Sequence, residues 1–458
     1  MKRSFKFFVL CRFVAELKSV VMKKRTLLIS AFMLTAATMF AEPWQVGYPN
    51  PASVTATFSG NTLTISGKGA MMDFEDYYYA PWYSIRSSIK NLVIGEGATA
   101  IGDWAFSRCE GLSTVILPES LTTIGVGAFS NCEGLSSITL PKKLTAIGAG
   151  AFYYCFSLSG TLIIPEGVTS IENETFRSCY GLSALIIPEG VKSIGNFAFA
   201  HCSGLKGTLT IPEGVTEIGD WAFRSCDNLT SIILPKSKSL KSIGDCAFEV
   251  CSGLSGSLTI SAGVMSIGEK AFARCHVLSA INVHTGNAYF SSVDGILYDK
   301  AQTTVIQCPA GKTGTVTIPD GVKTIGNHAF EDCMSLISII LPKSITSIGD
   351  EAFFGCDGLS SVTNLADEPQ NINSDVFRYL TLSDITLYVP EASLAKYQKA
   401  DVWKEFKIEA VTGIQNLCAD EAVAVGFYTL TGVKLPQEPE SGTYIVVYDK
   451  GKRVVSWR

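Results

Sequence analysis

One phrase recurs down this chain and leaves little freedom for its fold. Its cleanest copy is LSALIIPEGVKSIGNFAFAHCSG, residues 182–204. The frame is a Leu, a short β-branched run ending in Pro, a turn, and then I-G-x-x-A-F-x-x-C. Its Cys falls at Cys109, Cys132, Cys155, Cys179, Cys202, Cys226, Cys251, Cys275, Cys333 and Cys356, in steps of 23 to 25 residues except for one of 58. In every copy, the Ile that opens the second half stands eight residues before the Cys. A fixed period of this length marks a solenoid, because one unit cannot bury its own apolar face and neighbours must stack to share a core.

In the first half of the unit, alternate residues face the same way, which predicts a short strand with its Leu and two later apolar residues inward. Pro188 ends that strand and Glu189-Gly190 turns the chain. In the second half, Val191, Ile194, Ala198, Phe199 and Cys202 have the spacing of a second short strand followed by a helical or 3-10 turn. These residues fill the interior, whereas Asn196 is expected outside, where a change costs little. Length varies only around the first strand. The copies at 158–181, 205–228 and 254–277 add one Gly before it, and the copy at 229–253 lengthens the turn after Pro235.

The copies IPEGVTSIENETFRSC at 164–179, IPEGVTEIGDWAFRSC at 211–226 and IPDGVKTIGNHAFEDC at 318–333 resemble the BspA-like leucine-rich repeats of bacterial surface proteins. The resemblance spans residues 89–380. It implies a leucine-rich repeat solenoid, a right-handed superhelix with parallel strands along the inner face, predominantly β with short helical or 3-10 turns. It also implies adhesion to host matrix proteins such as fibronectin and fibrinogen, or to other bacteria.

Outside the regular copies the chain changes character. Residues 22–25, Met-Lys-Lys-Arg, precede an apolar run ending at Ala41, which reads as a signal peptide cleaved there, with residues 1–21 an upstream extension. Residues 42–88 read as an N-terminal cap. Runs at 54–58 and 63–65 flank Gly60-Asn61 as a hairpin, and the aromatic segment 71–82 either covers the first coil or forms a ligand platform. Residues 284–312 form an excursion with a hairpin around 299–302. The worn copy at 359–380 leads to a C-terminal cap at 381–410, in which Leu394, Tyr397, Val402, Trp403 and Phe406 suggest an amphipathic helix. Residues 411–458 read as a small β module, and GTYIVVYDKGKRVV within it resembles a type IX secretion sorting domain.

Catalytic and cofactor signatures are missing from the pattern. Beyond residue 41 the histidines are His201, His276, His284 and His328. His201 and His328 occupy variable repeat positions, which predicts surface placement. Residues 310–313, Ala-Gly-Lys-Thr, echo a phosphate loop, but Ile306 stands where its earlier Gly should be. The Cys ladder has no CxxC pair for zinc or iron–sulfur, and side chains pointing the same way are poorly set for bridging, so buried free thiols are expected. A net charge of −5 without a basic stripe argues against nucleic acid. No enzyme, no cofactor and no transmembrane segment in the mature chain are expected.

The strand residue between the two inward ones should point to solvent. Copy by copy it is Val93, Ile116, Thr139, Ile163, Ile186, Thr210, Ile233, Thr259, Thr317, Ile340 and Thr363. All are β-branched. Strand propensity accounts for that, but threonine would satisfy it without exposing hydrocarbon. The apolar members predict an adhesive stripe for an extracellular protein or glycan on a secreted or outer-surface protein. The alternative is a glycan- or envelope-associated scaffold without a host ligand. A flat sheet face favours protein binding, and a groove of carboxylates and aromatics near 284–312 favours glycan.

Overall fold

The computed structural model describes residues 42–411 and the strands Ala424–Tyr428, Lys434–Leu435, Thr443–Tyr448 and Arg453–Trp457. The expected leader and its cleavage point at Ala41 lie outside the described residues. The chain is a solenoid in which most coils carry two strands, such as Leu182–Ile186 followed by Ser193–Ile194, whereas the coil of Thr139 has only the second, Ala146–Ile147. Second strands stack in parallel, as in the five-stranded ladder from Ser170–Ile171 to Ser266–Ile267. First strands pair in parallel too, two by two from Gly160–Ile163 to Leu278–Val283 and in five-stranded sheets at either end. Gly160, Gly207, Gly256 and Gly314 hold φ between +70° and +83°, and the register shifts immediately after each.

The third side of each coil is where the structure is most particular. The residue before the Ala of A-F is left-handed whatever its type: Trp104, Phe197, Cys246, Lys270, His328 and Glu351 hold φ between +52° and +57°. The residue before the Cys is left-handed as well, as at Arg108, His201 and Arg274. Such a residue costs about 1–2 kcal/mol, so something must offset it. The offset is complete use of the backbone. In the 194 coil, Ala198, Ala200 and Cys202 N–H groups bond three residues back, at 3.1–3.3 Å. The alternating Phe197, Phe199 and His201 N–H groups reach Asp220, Ala222 and Arg224 of the next coil at 2.7–2.8 Å. The expected 3-10 turn is therefore present as its hydrogen bonds, but broken by two left-handed residues.

The core follows from these turns. Every A-F phenylalanine is buried, and from Phe106 to Phe272 the rings stack with centroids 5.3–5.6 Å apart. Each ladder thiol donates to the Phe carbonyl of the preceding coil, from Cys132 to Phe106 at 3.2 Å through Cys275 to Phe248 at 3.3 Å. The described cysteines are all free thiols. Burial pushes thiols such as Cys155 and Cys202 up to about 12. They therefore stay protonated, as donors must.

The Gly of I-G is required by crowding. A Cβ at Gly219 would lie 2.5 Å from Asn196 Oδ1 and 2.7 Å from Asn196 N. Asn196 is therefore no idle surface residue. Its Oδ1 accepts Asp220 N–H at 2.8 Å, while its own N–H reaches Asn173 Oδ1 at 2.8 Å. The same link runs through Asp220, Asp245 and Glu269. One copy, IENETF, has Glu172 in place of the Gly. There the second-strand ladder breaks between Ala146–Ile147 and Ser170–Ile171.

At the N-terminal end, Val54–Ser59 and Thr62–Gly67 form the expected hairpin around Gly60-Asn61, and the second of these strands begins the parallel stack. Trp82 is buried, stacks on Phe106 at 5.4 Å and donates its indole N–H to Ala105 O. At the other end, one amphipathic helix was expected and two short pieces are found, Leu394–Tyr397 and the 3-10 turn Trp403–Glu405. Val402, left-handed at φ +65°, breaks the helix between them, and Tyr397 and Trp403 are still fully buried. The excursion holds the expected antiparallel pair, Ile296–Asp299 with Thr304–Gln307, and a further strand, Phe290–Val293, that hydropathy did not reveal. Near the C-terminus, the four described strands form an antiparallel sheet.

Candidate functional site: the open strand face

The first strand has one face in the core and one outside, set by its two-residue period. Leu162, Ile164, Leu209 and Ile232 point in and are buried. Between them, Ile116, Ile163, Ile186 and Ile233 are 55, 58, 51 and 46% exposed. Thr139, Thr210, Thr259 and Thr317 are exposed, and Val93 and Ile340 are half-buried. Register aligns them into a column: Val93 beside Ile116, Ile163 beside Ile186, Thr210 beside Ile233, Thr317 beside Ile340. Thr363 departs from the expectation. It pairs with Ile340 on one side and Tyr388 on the other, and is fully buried with an unpartnered hydroxyl.

A second column stands two residues earlier on the same face: Thr114, Ser137, Thr161, Ala184, Thr208 and Ser231. No charged residue enters either column from Asn91 to Ile340. With coils about 4.8 Å apart, the surface is roughly 50 Å long, with isoleucines and threonines mixed along one column and mostly hydroxyls along the other. Charge returns at its border, where the turn after the strand exposes Glu96, Glu119, Glu166, Glu189 and Glu213, interrupted by Lys142, Lys143 and Lys236. Three of these glutamates also link coils, since Glu119 N–H donates to Glu96 Oε1, Glu213 N–H to Glu189 Oε2 and Lys236 N–H to Glu213 Oε1. Neither column holds a carboxylate, imidazole, amine or thiol between Asn91 and Ile340.

These repeats have known counterparts. Residues 82–206, 169–293 and 310–416 match the model of the BspA type leucine rich repeat region, in six copies. The chain belongs to that family. A solved leucine-rich repeat protein from Bacteroides ovatus ATCC 8483 shares the fold at 22% identity and TM-score 0.54, over 78% of this chain and 98% of that one. A leucine rich cell surface protein from Faecalibacterium prausnitzii A2-165 is 22% identical at TM-score 0.40, over 79% and 94%. The pneumococcal vaccine antigen PcpA is 16% identical at TM-score 0.34, over 79% and 97%. No curated protein matches the chain.

Two other places carry chemistry-bearing side chains. In the aromatic segment, Tyr77, Tyr78 and Tyr83 pack ring on ring, with Arg86 over Tyr83 and Arg108 over Tyr77. That segment is thus divided, with Phe74 and Trp82 inside and Tyr78 and Tyr79 exposed. On the turn side, His328, Glu331 and Glu351 bring ligand atoms within 4.8 Å of one another. Neither His328 nor His201 is at the open surface expected for it; both are half-buried. Glu331 is fully enclosed and already has Lys270 Nζ at 3.4 Å, Arg274 at 2.9 Å and His328 Nδ1 at 3.0 Å. Arg378 lies 3.4 Å from Glu351. A divalent cation would meet three positive side chains, so this is an ion-pair network. It ties the 270–274 turn to the 328–332 turn across the excursion. In the excursion, Phe290 and Tyr298 are buried, and the Asp299 carboxylate accepts the Thr303 and Thr304 N–H groups at 2.7 Å.

Proposed function

We propose that this BspA-type protein is an exported cell-surface adhesin that binds another protein through the uncharged strand face. The observation that carries the reading is the set of four half-exposed isoleucines on one strand face, with Ile163 and Ile186 in register, beside a border rich in glutamate. Exposed hydrocarbon at positions where threonine folds equally well is retained for contact. The partner matches the surface: an apolar, hydroxyl-tolerant centre with a basic rim facing the glutamate row. The basic start and apolar run ending at Ala41 direct export, and the GTYIVVYDKGKRVV stretch serves as a sorting signal. Among the described residues no helix is long and apolar enough to cross a membrane. Binding of the purified chain to fibronectin, fibrinogen, mucins and a glycan panel tests the reading. The Ile163→Thr/Ile186→Thr/Ile233→Thr variant should fold normally and bind its protein partner at least tenfold more weakly. Unchanged affinity in that variant, or binding to glycans alone, would move the site elsewhere.

A further inference from the structure

The ring column is continuous from Phe106 to Phe272 and resumes at Phe330, and between them one coil has no A-F turn. The buried core divides at the same place, one cluster ending at Leu297 and the other beginning at Ile296. Residues 307–309, Gln-Cys-Pro, fill the missing turn. Phe272 N–H donates to Gln307 Oε1 at 3.3 Å, and Cys308 N–H donates to Ala329 O at 2.7 Å, the bond a phenylalanine makes elsewhere. Cys308 therefore sits off the ladder, inside the core and beside a ladder thiol. From Cys132 to Cys275, and again at Cys356, each ladder thiol has a Phe carbonyl of its own, at 3.0–3.3 Å. Here two sulfurs converge on one oxygen: Cys308 Sγ lies 3.7 Å and Cys333 Sγ 3.8 Å from Pro309 O.

We infer that Cys308 and Cys333 form a disulfide that staples the excursion to the following coil. Ladder neighbours are held apart by separate carbonyl anchors and parallel side chains, and these two are not. The Cys308 thiol and burial together push the Cys333 thiol well above its ordinary value, as expected of a thiol pair in contact. The oxidant is a small-molecule disulfide such as glutathione disulfide. One protein thiolate attacks it and expels a glutathione thiolate, leaving a mixed disulfide. The second protein thiolate then attacks the protein sulfur and expels the other glutathione. Two protein thiols thus lose two electrons and two protons, and one glutathione disulfide becomes two glutathiones. Both thiols are buried in the folded chain, so the bond forms during folding or through opening of this junction.

The full chain, refolded in oxidised or in reduced glutathione buffer, alkylated and mapped under non-reducing conditions, tests the staple. The expected product in oxidised buffer is one cross-linked peptide pair containing Cys308 and Cys333, two hydrogens lighter than the separate peptides and released by reductant. The melting midpoint should then lie several degrees above that of the reduced chain. Cys308→Ala keeps the ladder intact and should lose both the cross-link and the rise. Alkylation of Cys308 and Cys333 when the oxidised chain is unfolded without reductant would overturn the inference, as would cross-links spread over the ladder cysteines.

Discussion

Phe199 shows what one residue contributes to a stack. It is fully buried between Phe176 at 5.5 Å and Phe223 at 5.3 Å. Phe199→Ala should cost about 3–5 kcal/mol in denaturant unfolding, and nearest-neighbour coupling should carry the loss into adjacent coils. Asn196, three residues earlier, makes a finer point. Asn196→Asp keeps the oxygen that caps Asp220 N–H and should be nearly neutral, whereas Asn196→Ala should cost about 1 kcal/mol by the same measurement. The burial of Phe199 was legible from spacing alone, because only one register places Ile, Ala, Phe and Cys together inside. The role of Asn196 was not, since its partner lies on another coil. The left-handed residues were equally hidden: Trp, Cys, Lys, His and Glu all occupy the position before the Ala, and none signals positive φ.

At the scale of elements, the coils are alike but their joints are not. Where I-G is intact, the Gly N–H bonds the Ile carbonyl of the coil before, as from Gly195 to Ile171 and Gly219 to Ile194, both at 2.8 Å. The Glu172 copy interrupts that ladder, so hydrogen exchange should be markedly faster at the Glu172 amide than at Gly195 or Gly219. Equal protection would mean that the break has no energetic weight. The joint across the excursion is electrostatic. Burial pushes the Glu331 carboxyl up, but His328, Lys270 and Arg274 more than compensate and hold it below the ordinary value. A depressed carboxyl contributes stability above the unfolded value, about 4.3, and loses it as pH falls through the lower folded value. The joint should thus weaken below roughly pH 4. Glu331→Gln should cost about 1.5–3 kcal/mol at neutral pH and flatten the acid limb of a stability–pH curve. An unchanged acid limb would assign the acid sensitivity to other carboxylates. The cap elements were only partly legible. Hydrophobic spacing from Leu394 to Phe406 carries the burial of Tyr397 and Trp403, but not the break at Val402 that turns one helix into two pieces.

For the whole molecule, repetition both builds the scaffold and produces the surface. A period of 23 to 25 residues puts one outward residue per coil into a column, so a preference too weak to matter at one site extends over roughly 50 Å. The column was legible because strands alternate. Its closed end was not, because Thr363 is covered by neighbours that no local pattern places there. The central claim is that a protein partner docks on this face. Hydroxyl-radical footprinting of the free chain and of its complex with the partner found in the binding screen tests it most directly. The account predicts loss of labelling at Ile116, Ile163, Ile186 and Ile233, with Tyr78, Tyr79 and Tyr289 labelled as before. Undiminished labelling of those isoleucines, with protection at the N-terminal tyrosines or the excursion, would contradict it.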